Sequence, residues 1–362
     1  MRHLAALLLA ALLCAVAASP AAPSGRSVAK DRALDAYAAM QRYLYSPQTH
    51  SYAGSYGLQA RAQAWPFSQA LWATLDVASM PAMRGDAHED LLERIRSLAA
   101  YSHPEPGLPS EFAPLYGGSG RVYYDDNLWI ALGLVESARV TGDQKLLASA
   151  RHIFELVGDG WDTDETHPCP GGVFWTRGGA NHDRNTVTTA NSALLALDLY
   201  ARDHSPAYLA WAEMAYDWTR RCLGTPSGLV RDHIDLRGNI DASTWSYNQG
   251  AMVAAGARLY RATGEKRYLQ EATRTATAAL RALRDPLALG EPPFFLAIFY
   301  RDLLELDRVV PDARYRNAMA AFASEAWTKA RDPKTGLFRF GGRRPTLLDQ
   351  AAMVEIYATL AS

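Results

Sequence analysis

Charge of one sign is missing from this 362-residue chain: 37 Lys and Arg stand against 38 Asp and Glu, for a formal net charge of -1. Without a basic surplus there is no counterion-releasing surface for a phosphate backbone, so nucleic acid is excluded as a partner. No apolar run is long enough to cross a bilayer. The sequence contains neither His-Glu-x-x-His nor Gly-x-Ser-x-Gly, and its nine His are scattered. Gly117–Gly120 has the composition of a phosphate loop, but no Gly-Lys-Ser/Thr follows. Asp162–His167 lacks the central Gly and terminal Glu of a calcium loop and reads as a solvated acidic loop. No metal and no cofactor are therefore expected.

Cysteine is also scarce, with Cys14, Cys169 and Cys222 alone. The first lies in an N-terminal segment that reads as an export leader. Arg2 and His3 give a polar start, Leu4–Ala18 is apolar but short, and Ala15-Val16-Ala17 forms a cleavage site. A lipoprotein signal at Cys14 would want a small residue where Leu13 stands. The reading is a leader over 1–17, a linker over 18–27 and a single domain over 28–362, exported to the periplasm or beyond and monomeric. Removing the leader leaves two cysteines able to pair in an oxidising compartment; sequence alone does not fix their geometry.

What remains is rich in helix signals of two alternating kinds. Trp65–Met80, Tyr123–Val140, Thr186–Tyr200, Trp245–Tyr260, Pro293–Leu306 and Leu347–Leu360 are apolar nearly all round. A helix without a polar face is enclosed on every side. Val28–Tyr45, His88–Tyr101, Gln144–Val157, Pro206–Cys222, Lys266–Leu283 and Ala313–Lys329 carry charge on one face. Six enclosed helices alternating with six amphipathic ones predict an all-α (α/α)6 barrel with an inner and an outer ring. An open solenoid is the alternative; closure is preferred because the inner segments show no concave polar face. Links after inner helices are tight turns, as at Thr141-Gly142 and Thr263-Gly264, whereas links before them are long and rich in Gly, Pro and aromatics. One such link, Gly171–Trp175, suits a short hairpin. In a barrel of this connectivity the long links and the inner-helix starts share one end, where a site would form.

The strongest candidate for chemistry is Tyr123-Tyr124-Asp125-Asp126-Asn127-Leu128-Trp129. One Asp at a helix start is explained as a cap. A second, entering a wholly apolar helix, must sit in a cleft or have its proton affinity altered. Two carboxyl groups of unequal proton affinity are what glycosidic cleavage requires. Consecutive Cα atoms lie about 3.8 Å apart, which suits the ~5–5.5 Å carboxyl separation of retaining enzymes better than the wider spacing of inverting ones. The helix terminus holds one Asp ionised, and that charge raises the other. The remaining inner-helix starts carry Trp65, Gln69, Asn185, Trp245, Tyr247, Asn248, Gln249, Asp349 and Gln350. Amides bond hydroxyls while rings stack on sugar C–H faces. Each start alone reads first as a cap or core aromatic, and it is their convergence on one end of the barrel that raises the sugar-binding reading; Trp175 reads equally as a sugar platform or a buried hairpin residue.

Taken together, Tyr124-Asp125-Asp126-Asn127 with Trp129, Cys169-Pro170-Gly171-Gly172-Val173-Phe174-Trp175, Asn185 with Asn191, Trp245-Ser246-Tyr247-Asn248-Gln249-Gly250 and Leu348-Asp349-Gln350 resemble glycoside hydrolase family 76, in the family's order. The resemblance implies an (α/α)6 barrel and metal-free, retaining cleavage of α-1,6-mannosidic bonds in a mannan. It implies Asp125 as nucleophile, Asp126 as acid/base, and Trp65, Tyr124, Asn127, Trp175, Asn185, Asn191, Trp245, Tyr247, Asn248, Gln249 and Asp349 around the sugar. Pro170 stands where the family pattern has Gly, which leaves the shape of that loop open. Fungal members are associated with transfer at cell-wall anchors, so hydrolysis and transglycosylation are both compatible. A non-catalytic glycan-binding toroid, and a toroidal epimerase or lyase built on His or Tyr, are the competing readings.

Overall fold

The computed structural model describes residues 25–80, 86–103, 111–178 and 182–362. The leader and most of the linker lie outside these residues. Six inner helices are α2 (Ala64–Ala78), α4 (Tyr124–Thr141), α6 (Thr186–Asp203), α8 (Ser246–Thr263), α11 (Pro293–Asp307) and α13 (Leu347–Ala361). Each packs on the next, and α13 packs on α2 to close the ring. Outside it stand α1 (Gly25–Leu44), α3 (Asp86–Ser97), α5 (Lys145–Gly158), α7 (Pro206–Leu223), α9 (Lys266–Ala282) and α12 (Ala313–Lys329). The (α/α)6 barrel expected from the sequence is the fold. Short additions are a 3-10 turn after α3 (Leu98–Tyr101) and a four-residue helix, α10 (Pro286–Leu289).

The two helix classes differ in what they cover. In α13 every residue from Leu347 to Ala358 except Leu348 is buried. In α9 burial is confined to Tyr268, Ala272, Thr275, Ala276 and Ala279, a stripe at three- and four-residue spacing. Leu195 and Ile130, both 0% exposed, lie in the shared core. Truncating either to Ala costs about 2–5 kcal/mol. The tight turns end α4 and α8 as expected: Gly142 and Gly264 take φ of 78° and 77°, a left-handed cap that disfavours a β-carbon.

The long links fold onto the end where the inner helices begin. They carry a two-stranded ladder, β1 (Tyr45–Ser46) with β2 (Ser51–Tyr52), and a three-stranded one, β3 (Asp183–Asn185), β4 (His233–Asp235) and β5 (Ile240–Asp241). Cys169 and Cys222 form a disulfide that ties the link before α6 to the end of α7. Next to it, Gly171 and Gly172 take φ of 100° and 83°, and a β-carbon on Gly172 would come within 2.4 Å of the Trp218 ring. Cys169 itself is left-handed at φ 51°, and Pro170 follows without a cis bond.

Two expectations need correction. Asp162 is not solvated: it is buried, paired with the fully buried Arg184 at 2.6 Å and with His167 at 3.0 Å. Arg184 also donates to the carbonyls of Pro168 and Asp235, so this group fastens two links together. Nor is the inner ring without a polar lining. Asp76, Glu136, Asp198, Arg258, Arg301 and Glu305 face a cavity at the end remote from the long links.

Candidate active site

The catalytic candidates sit in the first turn of α4, where the backbone N–H groups have no helical partner. Asp125 and Asp126 are partly exposed to the mouth and otherwise enclosed. Burial pushes Asp125 up to about 6. Against that, the nearby Trp175 indole and the backbone N–H groups of Asp126 and Asp125 favour the charged form, while Asp125 Oδ1 is buried without a hydrogen-bond partner. Asp126 has no such donors. Burial, and then the charge of Asp125, hold it well above the usual carboxylate range. One acid is therefore biased toward the ionised form and its neighbour toward the protonated form.

Two aromatic groups flank the pair. Trp175, 40% exposed, stands edge-on to Tyr123 at 5.1 Å. Its position is fixed by the bridge between Tyr123 and Thr176 and by the Tyr124 N–H donating to the Trp175 carbonyl at 2.9 Å. The second group centres on Phe295, which lies 4.1 Å from Tyr247, 5.6 Å from Trp245 and 6.2 Å, nearly parallel, from Trp65. Trp245 is 37% exposed, so much of its ring meets solvent. Phe294 and Phe295 were not singled out in the sequence; Pro292 and Pro293 start α11 and project them toward the mouth, an apolar signal indistinguishable from core.

Between the groups lies Asp232, which the sequence did not flag. Its carboxylate accepts from Asn248 Nδ2 at 2.9 Å and His233 Nδ1 at 2.9 Å, with the Tyr247 hydroxyl at 3.5 Å. The bond to Asp232 raises the proton affinity of His233. Asp232 in turn adds to the upward pressure on Asp125. Asp232, His233 and Asp241 form the one grouping among the described residues tight enough for a metal ion. The His233–Asp232 bond and the Asp241 cap on the Ser243 N–H account for it. Asn248 and Asn185 each keep a buried side-chain oxygen without a partner, as does Asp349 in the first turn of α13.

Other predicted ligands are structural. Asn127 accepts from the Phe112 N–H at 2.8 Å and donates to the Phe112 and Tyr123 carbonyls. Gln249 does the same to Val230, with bonds of 2.9 and 2.8 Å. Gln350 bonds the Phe338 N–H and the Ala36 carbonyl. Each is the fourth residue of its inner helix. In α6 the fourth residue, Thr189, accepts from the Val173 N–H. These side chains pin the preceding link to its helix and are buried away from a sugar. Tyr124 points away from the axis and packs beneath Gly160, where an added β-carbon would come within 2.7 Å of its ring. Asn191 lies a turn below the mouth; it donates to the Val187 carbonyl and lines the cavity of the far end. Of the residues anticipated around the sugar, Trp65, Trp175, Asn185, Trp245, Tyr247, Asn248 and Asp349 remain with the two acids.

A closed (α/α)6 barrel with paired, unequal carboxyl groups and aromatic walls at one end defines a glycoside hydrolase of the barrel type. The profile of glycosyl hydrolase family 76 matches residues 27–341, and the chain belongs to that family. Curated relatives include a mannan endo-1,6-alpha-mannosidase of Candida albicans, 31% identical over 131 residues. A putative mannan endo-1,6-alpha-mannosidase of Schizosaccharomyces pombe is 27% identical over 165 residues. These alignments take in 34% and 43% of this chain but only 28% and 36% of the relatives' own lengths. Among solved structures, a family 76 hydrolase from Bacteroides thetaiotaomicron superimposes with a TM-score of 0.82 at 21% identity, covering 92% of this chain and 77% of that one. The α-1,6-mannanase of Salegentibacter, solved as an inactive variant with two consecutive Asp→Asn changes in complex with α-1,6-mannotriose, superimposes with a TM-score of 0.73 at 20% identity over 92% and 99% of the two chains. No described helix is long and apolar enough to cross a membrane.

Proposed function

We propose that the protein is an exported, retaining, endo-acting α-1,6-mannanase in which Asp125 is the nucleophile and Asp126 the general acid/base. The observation that carries this is the unequal environment of two adjacent carboxyl groups. Asp125, whose charged form the neighbouring N–H groups favour, attacks the anomeric carbon. Asp126 gives its proton to the departing glycosidic oxygen. A mannosyl ester on Asp125 results, and Asp126, now ionised, takes a proton from the water that cleaves it. Trp175 and the Trp245–Phe295–Trp65 group offer stacking faces to either side, with Asn185, Asn248 and Asp232 as hydroxyl partners. The consecutive Asp→Asn changes that accompany bound mannotriose in the Salegentibacter enzyme favour the same pair. The predicted leader and the Cys169–Cys222 disulfide both suit an oxidising compartment.

Incubation with linear α-1,6-mannan should release short oligosaccharides whose first-formed reducing ends are α, seen by proton NMR before mutarotation. Initial β-anomers would overturn the retaining assignment. Products longer than the substrate, formed with added manno-oligosaccharide acceptor and little net hydrolysis, would assign transfer instead. Binding without turnover would leave a glycan-capturing toroid.

A further inference from the structure

The three-stranded ladder at the mouth has two unlike faces. Arg184 and Ile234, paired in register, are buried on one, with Ile234 packed among Trp218, Cys222 and Leu223. Alternation puts Asp183 and Asn185 of β3, His233 of β4 and Asp241 of β5 on the other. On that face one imidazole meets three carboxylates. His233 Nδ1 lies 2.9 Å from Asp232 Oδ2, and its Nε2 lies 4.0 Å from Asp183 Oδ2. Asp241, opposite His233 in register, brings a carboxylate oxygen within 4.8 Å of the atoms offered by His233 and Asp232. The charged groups facing the imidazole are thus Asp232 on its own link, Asp183 on β3 and Asp241 on β5. His233 is the one cation paired with them among the described residues.

Asp232 links this face to the paired acids. It accepts from Asn248 Nδ2 at 2.9 Å and lies near enough to Asp125 to oppose its ionisation. The Tyr247 hydroxyl, 3.5 Å from Asp232, feels both carboxylates. Beside a neutral imidazole, Asp232 would stand as an uncompensated negative charge next to the nucleophile. Beside an imidazolium, that charge is balanced. The hydrogen bond to Asp232, with the charges of Asp183 and Asp241, holds the imidazole above its ordinary range against the cost of partial burial. Asp125 is pushed up only to about 6. His233 is therefore still cationic over the interval in which the nucleophile gains its charge.

We infer that His233 is a positioning residue that acts through Asp232: its imidazolium balances that carboxylate and so lets Asp125 ionise nearby. The inference rests on Asp125 being the nucleophile, as proposed above. The role is electrostatic and moves no proton to or from the sugar; the Nδ1 proton stays on the bond to Asp232. An imidazole suits it because its two nitrogens point to opposite edges of one ring. Nδ1 takes Asp232 and Nε2 faces Asp183, which sets the ring between its own link and β3.

The test is the pH profile of kcat/KM on linear α-1,6-mannan, which reports the free enzyme, for the wild type, His233→Gln, His233→Lys and an Asp232→Asn/His233→Gln double variant. His233→Gln keeps a donor toward Asp232 and removes the charge, so its acidic limb should move up by about half a pH unit. His233→Lys should bring the limb back toward the wild type. The double variant lacks both charges and should do the same, whatever its kcat. A purely structural role would change Tm or kcat and leave the limb in place. In proton NMR of the full protein, the His233 ring C–H signal, identified by its absence from His233→Gln, should titrate above the ordinary 6.5, and at lower pH in Asp232→Asn. The proposal is overturned by an unmoved limb in His233→Gln, by an equal shift in the double variant, or by an imidazole that titrates at or below 6.5. A wild-type profile altered by EDTA would also overturn it, making Asp232, His233 and Asp241 a metal site. Absence of turnover in the wild type, or full activity in Asp125→Asn, would sink the mannanase reading and this inference together. A bell-shaped wild type with an unmoved limb in His233→Gln would sink this inference alone.

Discussion

The indole of Trp175 lies beside the carboxylate of Asp125 and favours its charged form, so a ring exposed on the cleft wall is coupled to one of the two adjacent acids. A hydrogen bond to the charged form lowers a carboxyl's proton affinity. Trp175→Phe keeps an aromatic face and deletes the donor. The variant should shift the acidic limb of the kcat–pH profile upward and lower kcat by about tenfold at neutral pH, with a smaller change in KM; one lost donor to developing or fixed charge is worth about that much. Equal loss in kcat/KM across all pH values, with the acidic limb in place, would show that the ring serves only in stacking.

The same geometry fixes the form of the wild-type pH profile. Asp125, pushed up to about 6, must be ionised to attack. Asp126, held well above the ordinary carboxylate range, must carry a proton. Activity should fall below about pH 6 as the nucleophile protonates and fall again on the alkaline side as the acid ionises, a bell describing the pair jointly. Asp126→Ala should abolish the alkaline limb on a substrate whose leaving group needs no proton, with azide restoring turnover. A single sigmoid in the wild type would remove the acid/base pairing.

The barrel was legible because enclosure leaves a mark: an inner helix lacks a polar face, and an outer helix has one. That same mark concealed which residues at the inner-helix starts face the axis. A helix apolar all round has no orienting stripe, and successive side chains are rotated by roughly 100°. Asp125 therefore turns inward while Tyr124 beside it turns outward against Gly160, and nothing local distinguishes them. Asn127, Gln249 and Gln350 looked like sugar ligands because amides suit hydroxyls; aligning the six starts shows them at one register, the fourth residue, where a pin to the preceding link belongs. Asp232 escaped notice because it lies within a link rather than at a helix start, and its partners Asn248 and Tyr247 come from the next helix.

Gln249 tests the difference between pin and ligand. Gln249→Leu keeps the approximate volume and strands the N–H and carbonyl of the buried Val230. Two such groups cost about 1–3 kcal/mol each, so denaturant unfolding should show a loss of roughly 2–6 kcal/mol. Oligosaccharide affinity of the folded variant should drop little. A variant of native stability that has lost its affinity would restore Gln249 to the sugar site.

The disulfide between Cys169 and Cys222, 53 residues apart, closes a long loop and anchors the segment that carries Trp175. Loop-closure entropy for that separation corresponds to about 4 kcal/mol in the chain-entropy account, and 2–4 kcal/mol is typical of measured bonds. Cys169→Ala/Cys222→Ala should lose stability in that range, read by chemical denaturation. Substrate KM should rise with it, because Gly171–Trp175 would no longer be held against Trp218. Unchanged stability would mean that the Asp162–Arg184 pair alone fastens the link.

The charges at the far end of the barrel predict a stability effect of opposite sign to that of ordinary ion-paired carboxylates. Burial pushes Asp76 and Asp302 up to about 7 and Glu355 up to about 8, with Arg301 opposing in each case. Unfolded, these carboxyls release their protons near pH 4. Between that value and about pH 7–8 the folded state binds more protons than the unfolded chain, so stability must fall as pH rises across this interval. The stabilisation is complete below pH 4 and is lost as pH passes the folded values. Asp302→Asn mimics the protonated form permanently. Its Tm should match the wild type near pH 4 and exceed it increasingly up to about pH 7, above which the native side chain is ionised in an enclosed site. Comparing the two proteins at each pH cancels the titration of every other group. A difference in Tm that stays constant from pH 5 to 8 would show that Asp302 does not change its protonation there, and that Arg258 and Arg301 hold it ionised throughout.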